Sequence, residues 1–312
     1  MMRTIAILGG AGFIGSNYVR YVREHYPEYN IIVVDSLTYA SNKEYLDGID
    51  NIRFVEGNIC DANLMNSIAE EADYIVNFAA ETHVDNSIKD STPFVESNII
   101  GVHTILEAIR YHEVNKFIQI STDEVYGSIT SGSFKEDDIL SPQNPYSASK
   151  AAGELLCNVY YSTYNLPIII TRSSNNYGPC QHFEKFIPLI IKNAAEGMKI
   201  PVYGKGDNIR DWLYVEDNCC AIDGILHEGR RGETYNIGGM NELTNLKLVQ
   251  VILDKLEKSE DLIEFVEDRA GHDKRYSLSI EKINKELGWL PKTDFATGID
   301  KTIEWYNGFY KW

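Results

Sequence analysis

Two adjacent carboxylates, Asp123 and Glu124, follow the apolar run Phe117, Ile118 and Ile120 in the stretch KFIQISTDEVYG, and the next seven positions hold no basic residue. Carboxylates at an apolar strand end lose hydration and repel each other. At least one is therefore expected to hold its proton to higher pH, and the two to titrate as a coupled pair. Such a pair can offer an acid and a base side by side. The competing expectation is a helix N-cap, with Thr122 or Asp123 preceding an acidic first turn. The glycines and β-branched residues of the following VYGSITSG speak against a helix there.

A second candidate pair lies in SPQNPYSASKAAGELL, where Tyr146 and Lys150 stand four residues apart in a stretch whose Ala, Glu and Leu content predicts a helix. That spacing puts both side chains on one helix face. Lys150 can hold a cofactor ribose, and its charge is expected to lower the phenol's pKa from near 10, making Tyr146 a base toward a sugar hydroxyl. With 20 tyrosines in the chain, roughly one Y-x-x-x-K arises by composition alone. A surface lysine beside a half-buried packing tyrosine is thus the alternative.

What lends the pair weight is an upstream cofactor motif. ILGGAGFIGSNYVRYVREHY sets Gly9, Gly12 and Gly15 between a predicted strand and a predicted helix. Glycines there permit a tight turn, close approach of backbone N–H groups to a pyrophosphate and helix-to-sheet packing, with the helix dipole favouring the anion. The spacing is G-x-x-G-x-x-G, and an ordinary tight βα turn remains its alternative. Asp35 ends the second strand about 20 residues past the last glycine, where a carboxylate can accept from adenosine ribose hydroxyls and disfavours a 2′-phosphate. Ser36 and Leu37 follow it in place of Arg or Lys, so the expected cofactor is NAD and not NADP. The ends of two further strands, at Asn58 and Ile59 and from Ala79 through Ala80, Glu81 and Thr82 to His83, fall where such folds bind ligands; ordinary loop chemistry is the other reading.

The elements that must hold these groups are legible as short β-branched runs at 4, 30, 51, 73, 116 and 167, mostly separated by helix-length amphipathic stretches. Continuous apolar strands alternating with helices predict an α/β fold, a doubly wound parallel sheet of Rossmann type covered on both faces. After about Ser173 the composition turns to Gly, Pro, Asn and aromatics, with helices expected at 186–196 and near 245–258. The expected organisation is an NAD-binding domain over 1–172 with return segments in 211–239, and a smaller α/β substrate-binding domain from 173–210 and 240–312.

Composition narrows the partners. A formal net charge of −17 excludes broad binding to nucleic acid or an anionic membrane, which reward Lys/Arg clusters, but leaves room for a small anionic ligand held by a few local donors. No apolar run approaches the roughly 18 residues of a membrane span. The start MMRTIAILGG enters a strand pattern without a secretory signal, which predicts a cytoplasmic protein. Five cysteines, none spaced C-x-x-C, are expected to be reduced and mostly buried, with no metal site.

Taken in order, GGAGFIG, Asp35, NFAAETHVD, STDEVYG, PYSASKAAGE, TRSSNNYGP and GDNIRDWLYVEDN resemble the extended short-chain dehydrogenase/reductases, specifically the nucleotide-sugar 4,6-dehydratases typified by dTDP-glucose 4,6-dehydratase. The resemblance covers nearly the whole chain. It implies a hydro-lyase that keeps NAD bound and recycles it. Tyr146 would take the C4 hydroxyl proton as hydride leaves C4, Glu124 would remove the C5 proton, and Asp123 would protonate the departing C6 hydroxyl. Thr122 would hold the C4 oxygen. It adds Phe13, Ile14, Thr38, Ser97 and Asn176 to the cofactor site, Asn176 at the nicotinamide end. It assigns Thr82 to the glucose, Asn175 to the diphosphate region, and Lys185 and Arg210 to phosphates or nucleotide. Phe186, Pro201, Tyr203, Asn245, Arg269 and His272 would complete the substrate pocket.

The chain departs from the family pattern at Asn58, where Asp is usual, at Asn86, where Arg is common, and at Ala270, where Pro is usual. The same chemistry on UDP-glucose or UDP-N-acetylglucosamine is therefore an alternative. Nucleotide-sugar 4-epimerases and UDP-glucuronate decarboxylases share the fold, NAD and the Tyr/Lys pair. Epimerases commonly carry small residues at the positions of Asp123 and Glu124, however, and decarboxylases typically Ser at that of Asp123. A noncatalytic NAD-binding protein is a further alternative. The family pairs the helices near 94–112 and 146–164, here bearing Tyr160, Tyr161 and Tyr164, as a four-helix bundle, so a homodimer is expected. Trp212 is expected in the core.

Overall fold

The computed structural model describes residues 3–268 and 273–310. The chain opens with β1 (Thr4–Leu8), α1 (Phe13–His25), β2 (Asn30–Asp35), β3 (Ile52–Glu56), α2 (Ala62–Glu71) and β4 (Tyr74–Asn77). Helices α3 (Val84–Lys89), α4 (Thr92–Val95) and α5 (Val102–Arg110) follow, the last two joined by a π-helical stretch Glu96–Gly101. Then come β5 (Lys116–Thr122), α6 (Pro145–Tyr164), β6 (Ile168–Ser173), β7 (Asn175–Tyr177), α7 (Phe186–Glu196), β8 (Ile200–Tyr203) and β9 (Ile209–Tyr214). The remainder is α8 (Val215–Glu228), β10 (Thr234–Ile237), β11 (Glu242–Thr244), α9 (Asn245–Lys255), β12 (Ile263–Val266), α10 (Glu281–Leu287) and α11 (Phe295–Phe309).

Seven parallel strands form the central sheet in the order β10-β6-β5-β4-β1-β2-β3, the doubly wound arrangement expected from the apolar runs. Strand alternation divides the core in two. Ile5, Ile7, Ile31 and Val33 enter the layer shared with Tyr18 and Val19 of α1 and Ile222 of α8, while Ala6, Leu8, Ile32 and Val34 enter the layer under α2, α5 and α6. Both faces being covered, the strands have no polar side, which is why they read as continuous apolar runs.

The order reverses between β1 and β4: the chain goes outward through β2 and β3, then resumes on the other side with β4, β5 and β6. Ligand crevices form at such reversals, beyond the carboxyl ends of the strands. A second layer lies past that edge. Strands β7, β9 and β11 make one small sheet and β8 pairs in parallel with β12, and both pack with α7, α9 and α11 around a third core containing Tyr177, Ile190, Trp212 and Ile299. The return segments expected within 211–239 divide between the two layers. The first residues of that range extend β9 in the small sheet, and the chain re-enters the central layer at α8 and β10 because their apolar faces pack there. Helix α10 rejoins the same core through Ile283. Among the described residues no helix is long and apolar enough to cross a membrane.

A buried ion pair locks the elements that carry the two candidate pairs. Arg172 of β6 donates through Nη2 to Glu154 of α6 at 2.6 Å and through Nε to both carboxylate oxygens, at 3.0 and 3.2 Å. Its Nη1 reaches the hydroxyl of Tyr126 at 2.5 Å and the carbonyl of Glu136 at 3.1 Å. Tyr126 in turn donates to Asn236 of β10 at 2.9 Å. Removing one partner of such a pair strands a charge without water. Arg172→Met is expected to lose about 3–5 kcal/mol, read as a lower denaturation midpoint, and the double substitution Arg172→Met with Glu154→Leu to recover most of that loss. Equal losses in the single and double variants would contradict this account.

Candidate active site

At the carboxyl edge of β1 the chain turns through Gly9, whose φ of +75° lies in the left-handed region. A Cβ there would approach the backbone nitrogen of Ala79 to 2.5 Å, and one on Gly15 would come within 2.2 Å of the Gly9 carbonyl oxygen. Only glycine lets the turn sit this close to β4 and to its own helix. Helix α1 starts at Phe13 with no side-chain cap on its N-terminus. The buried carboxylate of Asp35 accepts from the Ala11 amide at 2.9 Å and the Leu37 amide at 2.8 Å, which fixes it at the crevice wall.

The crevice is a cavity of about 870 Å³. Its wall includes Gly9, Gly12, Phe13, Ile14 and Gly15 from the turn and Asp35, Ser36 and Thr38 from the end of β2. Asn58 and Ile59 follow β3, Ala79, Ala80, Glu81 and Thr82 follow β4, and Ser97 comes from the π-helical stretch. Thr122, Asp123, Glu124, Tyr146, Lys150, Asn175, Asn176 and Lys185 close the far end. The residues fit a dinucleotide: a glycine cradle that any Cβ would fill, a helix start without a side-chain cap for a pyrophosphate, a buried carboxylate for a ribose, and buried amide oxygens of Asn175 and Asn176 that find no partner among the described residues.

Thr122 ends β5 and caps a single 3-10 turn, Asp123–Tyr126. Its hydroxyl accepts from the Glu124 amide at 3.3 Å and donates to Asp123 Oδ1 at 3.1 Å. This corrects the opposition drawn from sequence between an acidic pair and a cap: one turn of helix forms, the glycine at 127 stops it at φ +81°, and the cap itself aims the two carboxylates. Asp123 is only 3% exposed. Burial first, then the charge of Glu124, pushes its carboxyl up to about 8, against a hydrogen bond from Thr122. Asp123 thus holds a proton at neutral pH.

Tyr146 and Lys150 share the buried face of α6. The Lys150 ammonium donates to the Ile120 carbonyl at 2.7 Å, and burial pulls it down to about 8. The expectation that Lys150 lowers the phenol is corrected: burial and the neighbouring Glu124 and Asp123 charges raise Tyr146 well above its ordinary value, and only a hydrogen bond with Thr122 opposes them. Arg210 lies apart, in a cavity of about 120 Å³ shared with Glu124, Asn144, Asn175, Asp273 and Tyr276, where it donates to the Asp273 carbonyl at 3.1 Å.

Several expected contacts lie elsewhere. Leu37 takes a left-handed φ of 49° and packs into the core beside α1, because the turn that lets its amide reach Asp35 swings its side chain inward. His83 caps α3, its Nδ1 accepting from the Asn86 amide. Phe186 packs in the third core, and Pro201, Tyr203 and Asn245 stand outside the walls of both cavities: β8 is committed to β12, and Asn245 begins α9. Trp212 is in the core, as expected. Arg269, Ala270 and His272 lie outside the described residues. Gln181, His182 and Glu184 also line the large cavity, though no motif singles them out. Their only sequence signal is their place directly after TRSSNNYGP.

The family model described as GDP-mannose 4,6 dehydratase matches residues 6–302. The chain is 50% identical over 307 residues to the low-salt glycan biosynthesis protein Agl12 of Haloferax volcanii, covering 97% of this chain and 98% of that one. It is 45% identical over 313 residues to a dTDP-glucose 4,6-dehydratase of Streptomyces antibioticus, covering 99% and 93% respectively. Among solved structures, the dTDP-glucose 4,6-dehydratase DesIV of Streptomyces venezuelae with NAD bound superposes with a TM-score of 0.95 at 45% identity, over 99% of each chain. A Bacillus cereus UDP-glucuronic acid 4-epimerase with NAD superposes at 0.93, but at 27% identity, over 98% of this chain and all of that one.

The raised Asp123 carboxyl has a consequence for stability that needs no substrate. Its proton is held in the folded chain up to about 8, against an ordinary value near 4 when unfolded. Its favourable contribution is therefore complete below about pH 4 and is lost as pH rises toward 8. Melting curves of Asp123→Asn and the parent are expected to diverge by a few kcal/mol over that window, with the variant the more stable, and to run parallel above it. A gap that does not change with pH would refute the buried-acid assignment.

Proposed function

We infer, for a chain that belongs to the GDP-mannose 4,6 dehydratase family, that its reaction is the conversion of dTDP-glucose to dTDP-4-keto-6-deoxyglucose and water. Full-length relatives with this activity in their names, at 44–47% identity, support that substrate over the UDP sugars. The observation that carries the reading is the buried Asp123 carboxyl beside Glu124 at the end of a cavity fitted to NAD. A 4-epimerase has no use for a C5 base or a C6 acid. When bound, NAD supplies the hydride acceptor for C4 and the donor for C6.

The residue roles we propose follow the order of the bonds. The Tyr146 phenolate takes the C4 hydroxyl proton, and Thr122 holds that oxygen as it becomes a carbonyl. Lys150, its ammonium anchored on the Ile120 carbonyl, would hold the cofactor ribose. Because burial disfavours the phenolate, positive charge must come from the loaded site, with Lys150 and the oxidised nicotinamide both of the right sign. The 4-ketone acidifies C5–H. Glu124 removes that proton, the C6–O bond breaks, and Asp123 gives the leaving hydroxyl its proton as water departs. Glu124 then returns a proton to C5 as C6 is reduced. Only water is lost from the sugar, and the proton gained by Tyr146 equals the one given up by Asp123, so exchange with solvent restores both groups for the next turnover.

Asn175, Thr82 and Lys185 are proposed to hold the sugar and its diphosphate, with Asn176 at the nicotinamide and Arg210 at the substrate side of Glu124. A cytoplasmic setting belongs to the same proposal, supported by five cysteines that are all free thiols. So does a homodimer, supported by the exposed apolar residues Ile100, Leu155 and Val159 on neighbouring helical faces. Val159→Glu is expected to run as a monomer in size-exclusion chromatography with light scattering where the parent runs as a dimer. A monomeric parent would rule the dimer out.

Incubation with dTDP-glucose, UDP-glucose and UDP-N-acetylglucosamine, followed by NMR, tests the reaction. The 4-keto-6-deoxy product is expected fastest from dTDP-glucose, and no product from any of them would sink the dehydratase reading. In the same assay Asp123→Asn and Glu124→Gln are expected to keep C4 oxidation, seen as NADH absorbance, while product formation falls about 10²–10⁴-fold. Tyr146→Phe should lose both steps. Loss of the NADH signal in both carboxylate variants would contradict their assignment to the elimination.

A further inference from the structure

Asn144 immediately precedes α6, and its side chain works in two directions. Its Oδ1 accepts from the Ser147 amide at 2.8 Å, while Ser147 reaches back to the Asn144 amide at 3.3 Å, closing a capping box over the first turn of α6. Its Nδ2 donates to Glu124 Oε2 at 3.3 Å. The first bond fixes the helix that carries Tyr146 and Lys150. The second holds a carboxylate that belongs to a different element, the 3-10 turn after β5.

We propose that Asn144 is a positioning residue for the elimination half of the reaction, holding Glu124 in register with the helix end that carries Tyr146. The inference rests on the assignment of Glu124 as the C5 base. Glu124 lies between the large cavity and the small one and is half-buried. A glutamate has three side-chain torsions, so a donor tied to a capped helix end removes freedom that the reaction cannot tolerate: an ångström of misplacement can cost about 10²-fold in rate. Capping alone asks nothing of the Nδ2 group, since Ser, Asp and Asn cap comparably. The additional contact is where Asn144 differs from a plain cap.

A neutral donor on Glu124 also favours its charged form. The groups facing Glu124 include Asp123 beside it, Tyr146 on α6, Lys185 at the start of α7, Tyr276, and Arg210 and Asp273 across the small cavity. An aspartate at position 144 would add a third carboxylate to the two, Asp123 and Asp273, already facing Glu124, raising the pH at which Glu124 becomes a base.

Two substitutions separate the roles. Asn144→Ser keeps a capping hydroxyl but is too short for Glu124, and Asn144→Asp keeps the cap and length but cannot donate. Holoenzyme is mixed with dTDP-glucose in a single turnover, with NADH absorbance reporting C4 oxidation and deuterium uptake at C5 from heavy water reporting the base. Both variants are expected to oxidise C4 within about threefold of the parent. C5 exchange and product formation should fall about 10–100-fold, so that NADH accumulates, and in Asn144→Asp the exchange limb should move to higher pH. A parent that reacts while both variants match it, or while both slow the two steps in proportion, overturns the inference and leaves the dehydratase reading standing. A parent that forms neither NADH nor product overturns both.

Discussion

The site depends on a guanidinium that touches no part of the cavity. Arg172 sits one residue before the end of β6, 4% exposed, and binds Glu154 of α6 on one side and Tyr126 of the post-β5 turn on the other. Those two elements carry all five candidate catalytic residues: Thr122, Asp123 and Glu124 at the end of β5, and Tyr146 and Lys150 on α6. Arginine's planar fork suits this task, since it satisfies a bidentate carboxylate and still has an edge free for a phenol and a carbonyl. A lysine would offer a point charge and no fixed angle between the two partners. The ring of Tyr126 lies under the guanidinium at 4.6 Å, so the ion pair also fixes the direction in which the turn leaves the strand. Asn144 is the second tie between the same two elements, nearer the chemistry.

Burial is what makes acids and bases of ordinary side chains here. Asp123, Tyr146 and Lys150 are each more than nine-tenths buried, and each is displaced toward its neutral form: the carboxyl and phenol up, the ammonium down. For Asp123 that is the protonation state a general acid needs. For Tyr146 it is the opposite of what a base needs. A phenolate there needs positive charge beside it, and the Lys150 ammonium on the same face of α6 is of that sign.

The fold was legible because buried parallel strands admit almost nothing but apolar residues, and Ile5 to Leu8 or Ile31 to Val34 have no other use. Gly9, Gly15 and Asp35 were legible for a related reason: a backbone packed at 2.5 Å from any Cβ, and a carboxylate bound by two amides, leave no freedom of residue type. The left-handed φ of Leu37, with its side chain against the core, was not legible, because nothing in a linear motif reveals such a turn by a leucine. Thr122 was set against Asp123 and Glu124 as though a cap and a reactive pair excluded each other, when a turn of four residues accommodates both. Pro201, Tyr203 and Asn245 were placed by resemblance, with no spacing rule of their own, and they are among the assignments that the cavity walls do not contain.

The seven-stranded order explains why one edge can serve both redox and acid-base chemistry. Because the sheet reverses between β1 and β4, the glycine turn and Asp35 open the crevice from one half, and β5 with α6 closes it from the other. Hydride must leave C4 and return to C6 of one sugar, so the donor and acceptor carbons have to stay against one cofactor face while a proton is lost at C5 between them. Tyr146 and Lys150 sit on a helix and Asp123 and Glu124 follow a strand end, and Arg172, Glu154 and Asn144 tie the two elements together.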